Sequence, residues 1–382
     1  MIDATQEIIR GLEDVLVAET AISLVDGEQG RLTYRGYNIF DLAENSTFEE
    51  TTYLLFYGQL PTKEHALQFE RQLAAARALP TPILQILREL PKQAHPMAQL
   101  RTAIAAYGCF DPEADVVTEA SFRTIGAKLI AQVGTMAAAI WRLSRGWEPV
   151  APDPTLSYAA NFLYMLQGQR PTPEAARIMD ISLICHADHE LPASTFSSLV
   201  VCSSLTDLYS SIAAAVGSLK GPLHGGANEQ TLRNFDTIAG VENVGAYMAQ
   251  VKEKKLKVPG IGHRVYKAYD PRAVIFKRIA EQLAKQHPAL TKTFATAVEL
   301  ERQCLEVFGA KQLFPNVDYF SGIVYRSLGI DPLMFTPIFA VSRMAGWVSH
   351  LIEYLPQNRI FRPAGKYIGP AERPFVPHAE RK

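Results

Sequence analysis

The sequence predicts a mainly α-helical protein with two domains. Apolar residues recur every three or four positions along most of the chain, which is the period of an amphipathic helix. The alternation expected of strands is confined to one short stretch near the N-terminus. The chain has 382 residues, of which 48% are hydrophobic. This length suits about two domains of ordinary size with a large core.

The first predicted element is a small hairpin in residues 21–39 (AISLVDGEQGRLTYRGYNI), which alternate around a Gly-containing turn. Residues 47–62 (TFEETTYLLFYGQLPT) predict a helix, with Pro61 after its end. Residues 79–97 (LPTPILQILRELPKQAHPM) predict a helical connection that prolines divide. The N-terminal part is therefore expected to pass from one hairpin into helices.

The longest predicted helix covers residues 122–145 (FRTIGAKLIAQVGTMAAAIWRLSR). Thr118 and Glu119 suit its start, and Gly146 suits its end. Residues 148–157 (EPVAPDPTLS) predict a Pro-rich loop. Residues 197–219 are apolar and rich in Ser and Ala. Small side chains let helix axes approach closely, so we expect this stretch at the centre of the molecule or in a subunit interface.

Composition excludes several classes of protein. The 38 basic and 39 acidic residues leave a formal net charge of −1, which gives no overall preference for nucleic acid. The four cysteines form no CxxC pair and predict buried, reduced thiols. The N-terminal residues lack the apolar core of a signal peptide, and no apolar stretch is expected to span a bilayer. A cytoplasmic protein without a membrane partner is predicted.

Four features stand out from an ordinary helical core. His186 and His189 in "HADHE" are three positions apart, as on one face of a helix, and His224 lies between glycines in "GPLHGGANEQ". His263 follows the glycine turn "PGIG", and Asp318 is an acidic residue among aromatics in "FPNVDYFSG".

Two kinds of chemistry are open to these residues. His186 and His189, with Glu190, could face one metal ion, although HxxHE is not the zinc-protease order HExxH. Alternatively, histidines and a carboxylate could polarise a carbonyl, remove a proton and return one. Arginines nearby would then hold anionic groups through paired hydrogen bonds. The glycine turns beside two of the histidines favour acid–base catalysis over metal binding.

Three motifs in this order resemble the citrate synthase family: GPLHGGANE at 221–229, VPGIGHRVYKAYDPRA at 258–273 and FPNVDYFSGIVY at 314–325. The resemblance extends from about residue 11 to "NRIFRPAGKYIGP" at 358–370. It implies a two-domain helical fold. It also implies a Claisen-type condensation of acetyl-CoA with oxaloacetate, followed by hydrolysis to citrate and CoA. The enzyme would be an acyltransferase that converts the acyl group into an alkyl group on transfer.

The resemblance also implies residue roles. His224 would donate a hydrogen bond to the thioester oxygen, Asp318 would remove the methyl proton, and His263 would polarise the ketone of oxaloacetate. His186 is left as a hydrogen-bonded core histidine. The protein would form a homodimer in which Arg362 reaches the neighbouring subunit's site. No permanently bound cofactor and no metal are implied. The residues implied to hold oxaloacetate are His189, Arg272, Arg343 and Arg362, and those implied to hold CoA are Lys257, Val258, Gly260 and Lys267.

Residues 1–224 and 332–382 are expected to form a large domain and residues 225–331 a small one, with the site in the cleft between them. Three alternatives stay open. A 2-methylcitrate synthase would use propionyl-CoA with the same acid–base set. A metal-dependent hydrolase would use His186, His189, His224 and His263. A non-catalytic CoA-binding protein would have lost one of the three catalytic residues, all of which are present.

Overall fold

The computed structural model describes residues 8–381, and within them the chain is mainly helical, as predicted. Sixteen α-helices, five short 3₁₀ helices and one three-stranded sheet make up the regular structure of this part. The helices are α1 Ile39–Asn45, α2 Phe48–Tyr57, α3 Lys63–Ala76, α4 Thr81–Glu89, α5 Pro96–Gly108, α6 Glu119–Ser144, α7 Tyr158–Gln167, α8 Pro173–His186, α9 Ala193–Cys202, α10 Leu208–Leu219, α11 Ala227–Ile238, α12 Val241–Lys254, α13 Pro271–Gln286, α14 Pro288–Phe308, α15 Asp318–Ser327 and α16 Phe335–Tyr354.

The predicted hairpin is confirmed. Strands β1 (Ser23–Asp26) and β2 (Arg31–Tyr34) pair antiparallel, and the short β3 (Tyr37–Asn38) continues the sheet. The tip of the hairpin rests on residues 265–269, where the Lys267 backbone N–H donates to Gly27 O over 2.9 Å. A Cβ at Gly27 would overlap Val265 O, and one at Gly30 would lie 2.7 Å from Tyr269 O. Both glycines are therefore required by the close approach.

Helix ends follow the local sequence. Thr47 begins α2 with a capping box that includes Glu50. Thr118 caps α6, as predicted, and Gly146 lies at φ +76° just beyond its end. An 18-residue window of α6 has a mean hydropathy of 1.2, so in length and composition this helix could span a bilayer, contrary to expectation. However, 83% of that window is buried inside the protein, as in a core helix.

The Ser- and Ala-rich stretch divides into α9 and α10, which pack against each other. The break is local: Leu205 adopts φ 62°, and the side chain of Asp207 caps α10 by accepting from Ser210 N. Helix α10 buries its larger apolar residues and leaves Ala213 and Ala214 half-exposed, whereas α9 leaves Val200 exposed. Buried cysteines are confirmed for three positions, but Cys109 is exposed because it lies at the C-terminal end of α5.

Helix α16 is the centre of the fold. Every residue from Phe335 to Ile352 is buried, and the helix packs against α2, α5, α6, α8, α9 and α10. Helices α11 to α15 pack mainly on one another and meet the first group through α1, α8 and α16. The loops after α8, α10 and α12 and the starts of α13 and α15 lie where the two groups meet. This junction contains most of the candidate site residues.

Candidate active site

Three aromatic rings form the base of the junction. The ring of His189 lies 5.2 Å from that of His263 and 5.4 Å from that of Tyr266, measured between centroids. The Tyr266 hydroxyl is 3.3 Å from His189 Nε2. Burial and then the positive charge of Arg272 hold the pKa of His189 well below its usual value. His189 is therefore a neutral group at neutral pH.

The turn that carries His263 fixes its tautomer. His263 Nδ1 accepts hydrogen bonds from the backbone N–H groups of Val265, at 3.0 Å, and Tyr266, at 3.2 Å. A ring nitrogen that accepts carries no proton, so the proton of the neutral ring is on Nε2. Burial, followed by the charge of Arg272, lowers the pKa of His263 to about 4. His263 thus offers one N–H donor, at Nε2.

His224 lies in the tight turn between α10 and α11. Its backbone N–H donates to Gly221 O, and the next residue, Gly225, donates to Leu219 O. A Cβ at Gly225 would overlap Leu219 O and lie 2.8 Å from Thr336 Cγ2, so the backbone there admits only glycine. His224 Nε2 is 2.8 Å from Ser194 Oγ. Burial, followed by the charge of Arg343, lowers the pKa of His224 to about 4.

Asp318 is the first residue of α15, and its backbone N–H donates to Asn316 Oδ1. Burial raises the pKa of its carboxyl group to about 7, against the opposing charges of Arg272 and Arg343. A carboxylate with a pKa close to neutrality is well matched to the removal of a proton from carbon at physiological pH.

The two candidate arginines of the core differ in their pairing. Arg272 forms a bidentate pair with Asp270, with Nε–Oδ1 and Nη2–Oδ2 distances of 3.1 and 2.8 Å. Arg343 Nε donates to His186 O at 2.8 Å, and its guanidinium lies 4.8 Å from the Phe339 ring centroid. Within residues 8–381, no ion pair joins Arg343 to a carboxylate, and burial lowers its pKa to about 10. A buried cation without an ion pair favours an anionic ligand.

The structure does not support the alternative in which His186 and His189 face one metal ion from a shared helical face. Helix α8 ends at His186, so His189 lies in the following loop and the two rings do not share a helical face. His186 Nδ1 bonds Ser182 O at 2.8 Å, and its ring packs 4.9 Å from that of Phe339. Burial lowers the pKa of His186 to about 3, so it is a core histidine. The described residues contain no group of three potential metal ligands.

One face of α16 bonds the loop that carries His189. This face was not predicted from the sequence. Arg343, Gly346, Trp347 and His350 all bond residues 186–194, and their spacing is that of neighbours on one helical face. Gly346 N donates to Ala187 O at 3.0 Å, and His350 Nε2 lies 3.1 Å from Asp188 Oδ2. The sequence signal that could have identified this face was the helical spacing of the polar residues in "SRMAGWVSH" at 342–350. Trp347 Nε1 donates to Ser194 Oγ at 3.2 Å.

The remaining candidates lie further out. Arg362 follows α16 in an exposed tail, and its only side-chain hydrogen bond in the described part of the chain is to Pro363 O. The side chains of Lys257 and Lys267 are exposed, and that of Val258 is buried. Gly260 adopts φ +78° in the turn before His263. The structure thus leaves Arg362 apart from the other catalytic and oxaloacetate candidates. Those that it brings together are His189, His224, His263, Arg272, Asp318 and Arg343.

Comparison with known families agrees with this geometry. The family model described as "Citrate synthase, C-terminal domain" matches residues 11–364, which is most of the chain. The chain belongs to the citrate synthase family. The resemblance found in the sequence motifs is therefore confirmed.

Relatives and solved structures cover almost the whole chain. The citrate synthase of Deinococcus radiodurans is 43% identical over 98% of this chain and 99% of its own length. "Citrate synthase 2" of Bacillus subtilis is 44% identical over 97% and 99%. A ternary complex of the Thermoplasma acidophilum citrate synthase with carboxymethyl coenzyme A and oxaloacetate has a TM-score of 0.94 at 39% identity, covering 99% and 100% of the two chains. The Pyrobaculum aerophilum enzyme has a TM-score of 0.92 at 45% identity, covering 98% and 95%.

These comparisons confirm the predicted fold class, reaction and enzyme class: a citrate synthase-like helical fold and a transferase that converts acyl to alkyl on transfer. The four relatives named here are all citrate synthases, and none favours 2-methylcitrate synthase. The metal-dependent hydrolase gains no support.

Proposed function

We propose that this member of the citrate synthase family condenses acetyl-CoA with oxaloacetate at the junction described above, with His224, His263 and Asp318 as catalytic residues. One observation carries the proposal. The charge of the buried Arg343 acts on both Asp318, whose pKa is raised to about 7, and the neutral His224, while the neutral ring of His263 packs against His189. This is the set of groups that removal of a weakly acidic proton requires.

The first step forms the nucleophile. The methyl group next to a thioester is a very weak acid, so its proton leaves only if the enolate oxygen is stabilised as charge develops. Asp318 takes the proton, and His224 donates its N–H to that oxygen. A donor of this kind in a water-poor site contributes about 3 kcal/mol to stabilising the transition state.

The second step forms the carbon–carbon bond. The methyl carbon attacks the ketone carbon of oxaloacetate while His263 Nε2–H donates to the ketone oxygen and protonates the alkoxide that forms. Water then cleaves the thioester of the condensed product, which releases citrate and CoA. The Nε2 tautomer of His263, which two backbone N–H groups impose, is the one that this step needs.

We assign the oxaloacetate ligands by charge. The substrate has two carboxylates and a ketone, and Arg343 is a buried cation without an ion pair within the described residues. Arg272 would share its guanidinium between Asp270 and the substrate, since only one of its terminal nitrogens bonds Asp270. His189 adds a neutral donor. Arg362 completes the set from the neighbouring subunit.

CoA would lie along the turn formed by residues 257–262. Val258 and Gly260 offer backbone groups, while the exposed side chains of Lys257 and Lys267 suit the phosphates. The relatives include a citrate synthase solved with a CoA analogue and oxaloacetate, which supports this ligand class. No permanently bound cofactor is proposed.

Two domains are proposed. The large one consists of residues 1–224 and 332–382, and the small one of residues 225–331. The packing of α11 to α15 on one another supports this division. Closure over oxaloacetate would create the CoA site and exclude water, which protects the thioester. Oxaloacetate therefore binds first. Equal acetyl-CoA affinity with and without oxaloacetate would contradict this order.

A cytoplasmic homodimer is proposed. The exposed tail presents Ile360, Tyr367, Ile368 and Phe375 to solvent in the single chain, and apolar surface of this extent is typical of an interface. A second such surface is an open, mainly apolar groove of about 590 Å³ between α5 and α10, and it is lined by Arg101, Thr102, Ala105, Ala106, Cys109, Ala213 and Ala214.

Thiol release from acetyl-CoA or propionyl-CoA, each with oxaloacetate, tests the function. We expect acetyl-CoA to give the higher kcat/KM, by a factor that corresponds to about 1–3 kcal/mol, because the two substrates differ by one methylene. A preference for propionyl-CoA would favour 2-methylcitrate synthase. Activity that a strong chelator abolishes would instead favour metal-dependent chemistry.

A further inference from the structure

The turn before His263 packs directly against the segment before Asp318. Residues 260–262 and residues 314–316 are joined by two backbone hydrogen bonds, of 2.8 and 2.9 Å, and by one antiparallel bridge. The two segments that lead into the proposed acid and the proposed base are therefore in contact with each other, although more than 50 residues separate them in the sequence.

The side chain of Asn316 spans this contact. Its Oδ1 accepts from the backbone N–H of Asp318 at 3.0 Å, and its Nδ2 donates to Gly262 O at 2.8 Å. The orientation of the amide follows from these partners, because a backbone N–H can only donate and a carbonyl oxygen can only accept. The backbone N–H of Asn316 donates to Gly260 O, and its carbonyl oxygen accepts from Tyr319 N. One residue thus bonds both the turn and the start of α15.

The relative position of acid and base matters for the proposed reaction. Asp318 acts on the methyl carbon of acetyl-CoA and His263 acts on the ketone oxygen of oxaloacetate, so the new carbon–carbon bond forms between the groups on which these two residues act. A misplacement of about 1 Å, caused by a substitution away from the reacting atoms, can lower a rate by roughly 10²-fold. A side chain that fixes one segment against the other therefore influences the rate.

We infer that Asn316 is a positioning residue, whose two side-chain hydrogen bonds hold Asp318 at a fixed distance from the turn that carries His263. The inference rests on the function proposed above. Two of the residues proposed to hold oxaloacetate lie on other elements: Arg343 on α16 and His189 in the loop after α8. The Asn316 side chain is therefore expected to affect kcat much more than the KM for oxaloacetate.

Thiol release by the full-length protein tests this inference. Asn316→Ala removes both side-chain bonds, and kcat should fall roughly 10²-fold while the KM for oxaloacetate stays within about 3-fold. Asn316→Ser keeps an acceptor for the Asp318 N–H, as in an ST turn, but its side chain is shorter and loses the bond to Gly262 O. Its kcat should lie at least roughly 10-fold below that of the unmodified protein. Normal turnover of Asn316→Ser, or a rise in KM as large as the fall in kcat, would overturn the inference.

Two comparisons separate positioning from a general loss of structure. In the Asp318→Asn background, where the base is absent, Asn316→Ala should lower the remaining kcat by less than about 3-fold. Asn243→Ala is the matched control, because Asn243 Nδ2 also donates to a backbone carbonyl within α11 to α15, that of Ile238 at 2.9 Å, and this variant should leave kcat unchanged. An equal effect of Asn316→Ala in both backgrounds, or a similar loss of kcat in Asn243→Ala, would contradict the positioning role.

Hydrogen–deuterium exchange measured by mass spectrometry detects the link without any turnover. Peptides that contain residues 260–263 and 317–319 should take up deuterium faster in Asn316→Ala than in the unmodified protein, because their hydrogen bonds open more often. The control Asn243→Ala should not change these peptides. Unchanged uptake in both segments of Asn316→Ala would overturn the inference. An inactive unmodified protein with the expected exchange would overturn only the proposed function.

Discussion

At the scale of single residues, two buried arginines of the site have different consequences for stability. Asp270 neutralises Arg272, and Asp270 Oδ2 also accepts from the backbone N–H of Val317, next to Asp318. Arg343 has no carboxylate in ion-pair contact in the described chain and keeps its charge for a ligand. The structure therefore distinguishes Arg272, which is paired with a carboxylate, from Arg343, which has no ion pair in the described chain, whereas the sequence motifs treated the two arginines alike.

Replacing the two arginines by leucine should expose this difference. Arg343→Leu should raise the KM for oxaloacetate by at least roughly 30-fold, because a buried charge contact is lost. It should change the free energy of unfolding by no more than about 1.5 kcal/mol, the value of one hydrogen bond. Arg272→Leu should instead destabilise the fold by about 3–5 kcal/mol, because Asp270 stays buried without its partner. Urea unfolding measures the stability of each variant, and steady-state kinetics measure its KM for oxaloacetate. Equal destabilisation by the two variants would contradict the distinction between a paired Arg272 and an unpaired Arg343.

Asp318→Asn should lower kcat by roughly 10³- to 10⁴-fold without loss of oxaloacetate binding, since the amide keeps the shape and cannot accept the proton. It should also stabilise the protein at pH 8. The folded-state pKa of Asp318, about 7, lies above the ordinary value of 3.8 for an aspartate, so the ionised carboxylate reduces stability as the pH rises from about 4 to about 7. Thermal unfolding at pH 8 checks this, with the surface variant Asp236→Asn as control. Near-normal turnover would show that the base is assigned wrongly.

The pH dependence of the free enzyme should be governed by Asp318. Because the ionised form is the base, kcat/KM should fall about tenfold per pH unit below about 7. His224 and His263, with pKa values lowered to about 4, should add nothing between pH 5 and 8. A profile of kcat/KM from pH 5 to 9 measures this. A kcat/KM that stays constant from pH 5 to 7 would mean that the pKa of Asp318 is not raised.

At the scale of elements, the hairpin and α16 hold the site from two sides. The hairpin tip supports residues 265–269, directly after His263, while one face of α16 fixes the loop from His186 to Ser194. Both contacts use glycine where two backbones approach closely: Gly27 against Val265 and Gly346 against Ala187. These elements lie far from one another in the sequence, and their packing determines how the histidines face each other.

Gly27→Ala should disturb the site from a distance. The new Cβ would overlap Val265 O, so residues 265–269 must shift, and the turn around His263 shifts with them. We expect a loss of about 1–3 kcal/mol in unfolding free energy and a raised KM for oxaloacetate. Gly245→Ala is the matched control, because a Cβ there meets nothing within 4 Å. Kinetics and stability like those of the control would mean that the hairpin tip is not coupled to the site.

At the scale of the whole molecule, the site is proposed to need two subunits. Arg362 lies in the tail after α16, apart from the other candidate residues. The proposed role of this arginine therefore depends on a second copy of the chain, whose contribution stays a prediction.

Mixing two inactive variants should restore activity if Arg362 acts across the interface. Arg362→Ala lacks the donated arginine, and Asp318→Asn lacks the base. In a heterodimer one of the two sites has both residues intact, so random reassociation should recover about a quarter of the unmodified activity. Specific activity after co-refolding measures this, and mixed but unassociated variants are the control. No recovery despite demonstrated heterodimers would place Arg362 outside the partner's site.

The sequence by itself determined the helical class, the hairpin, several helix ends and the family, because these depend on periodicity, capping residues and motifs that are local in the chain. Thr47 and Thr118 cap the helices that follow them, and three motifs identify the family. The family resemblance also implied that Arg343 is one of the residues that hold oxaloacetate.

Only the tertiary structure decided which groups face one another. It ended α8 at His186 and so separated that ring from His189, and it paired Arg272 with Asp270 while leaving Arg343 without an ion pair in the described chain. It also joined Trp347 to His224 through Ser194. The physical reason is that burial and long-range contacts set tautomers and pKa values, and neither can be determined from spacing along the chain.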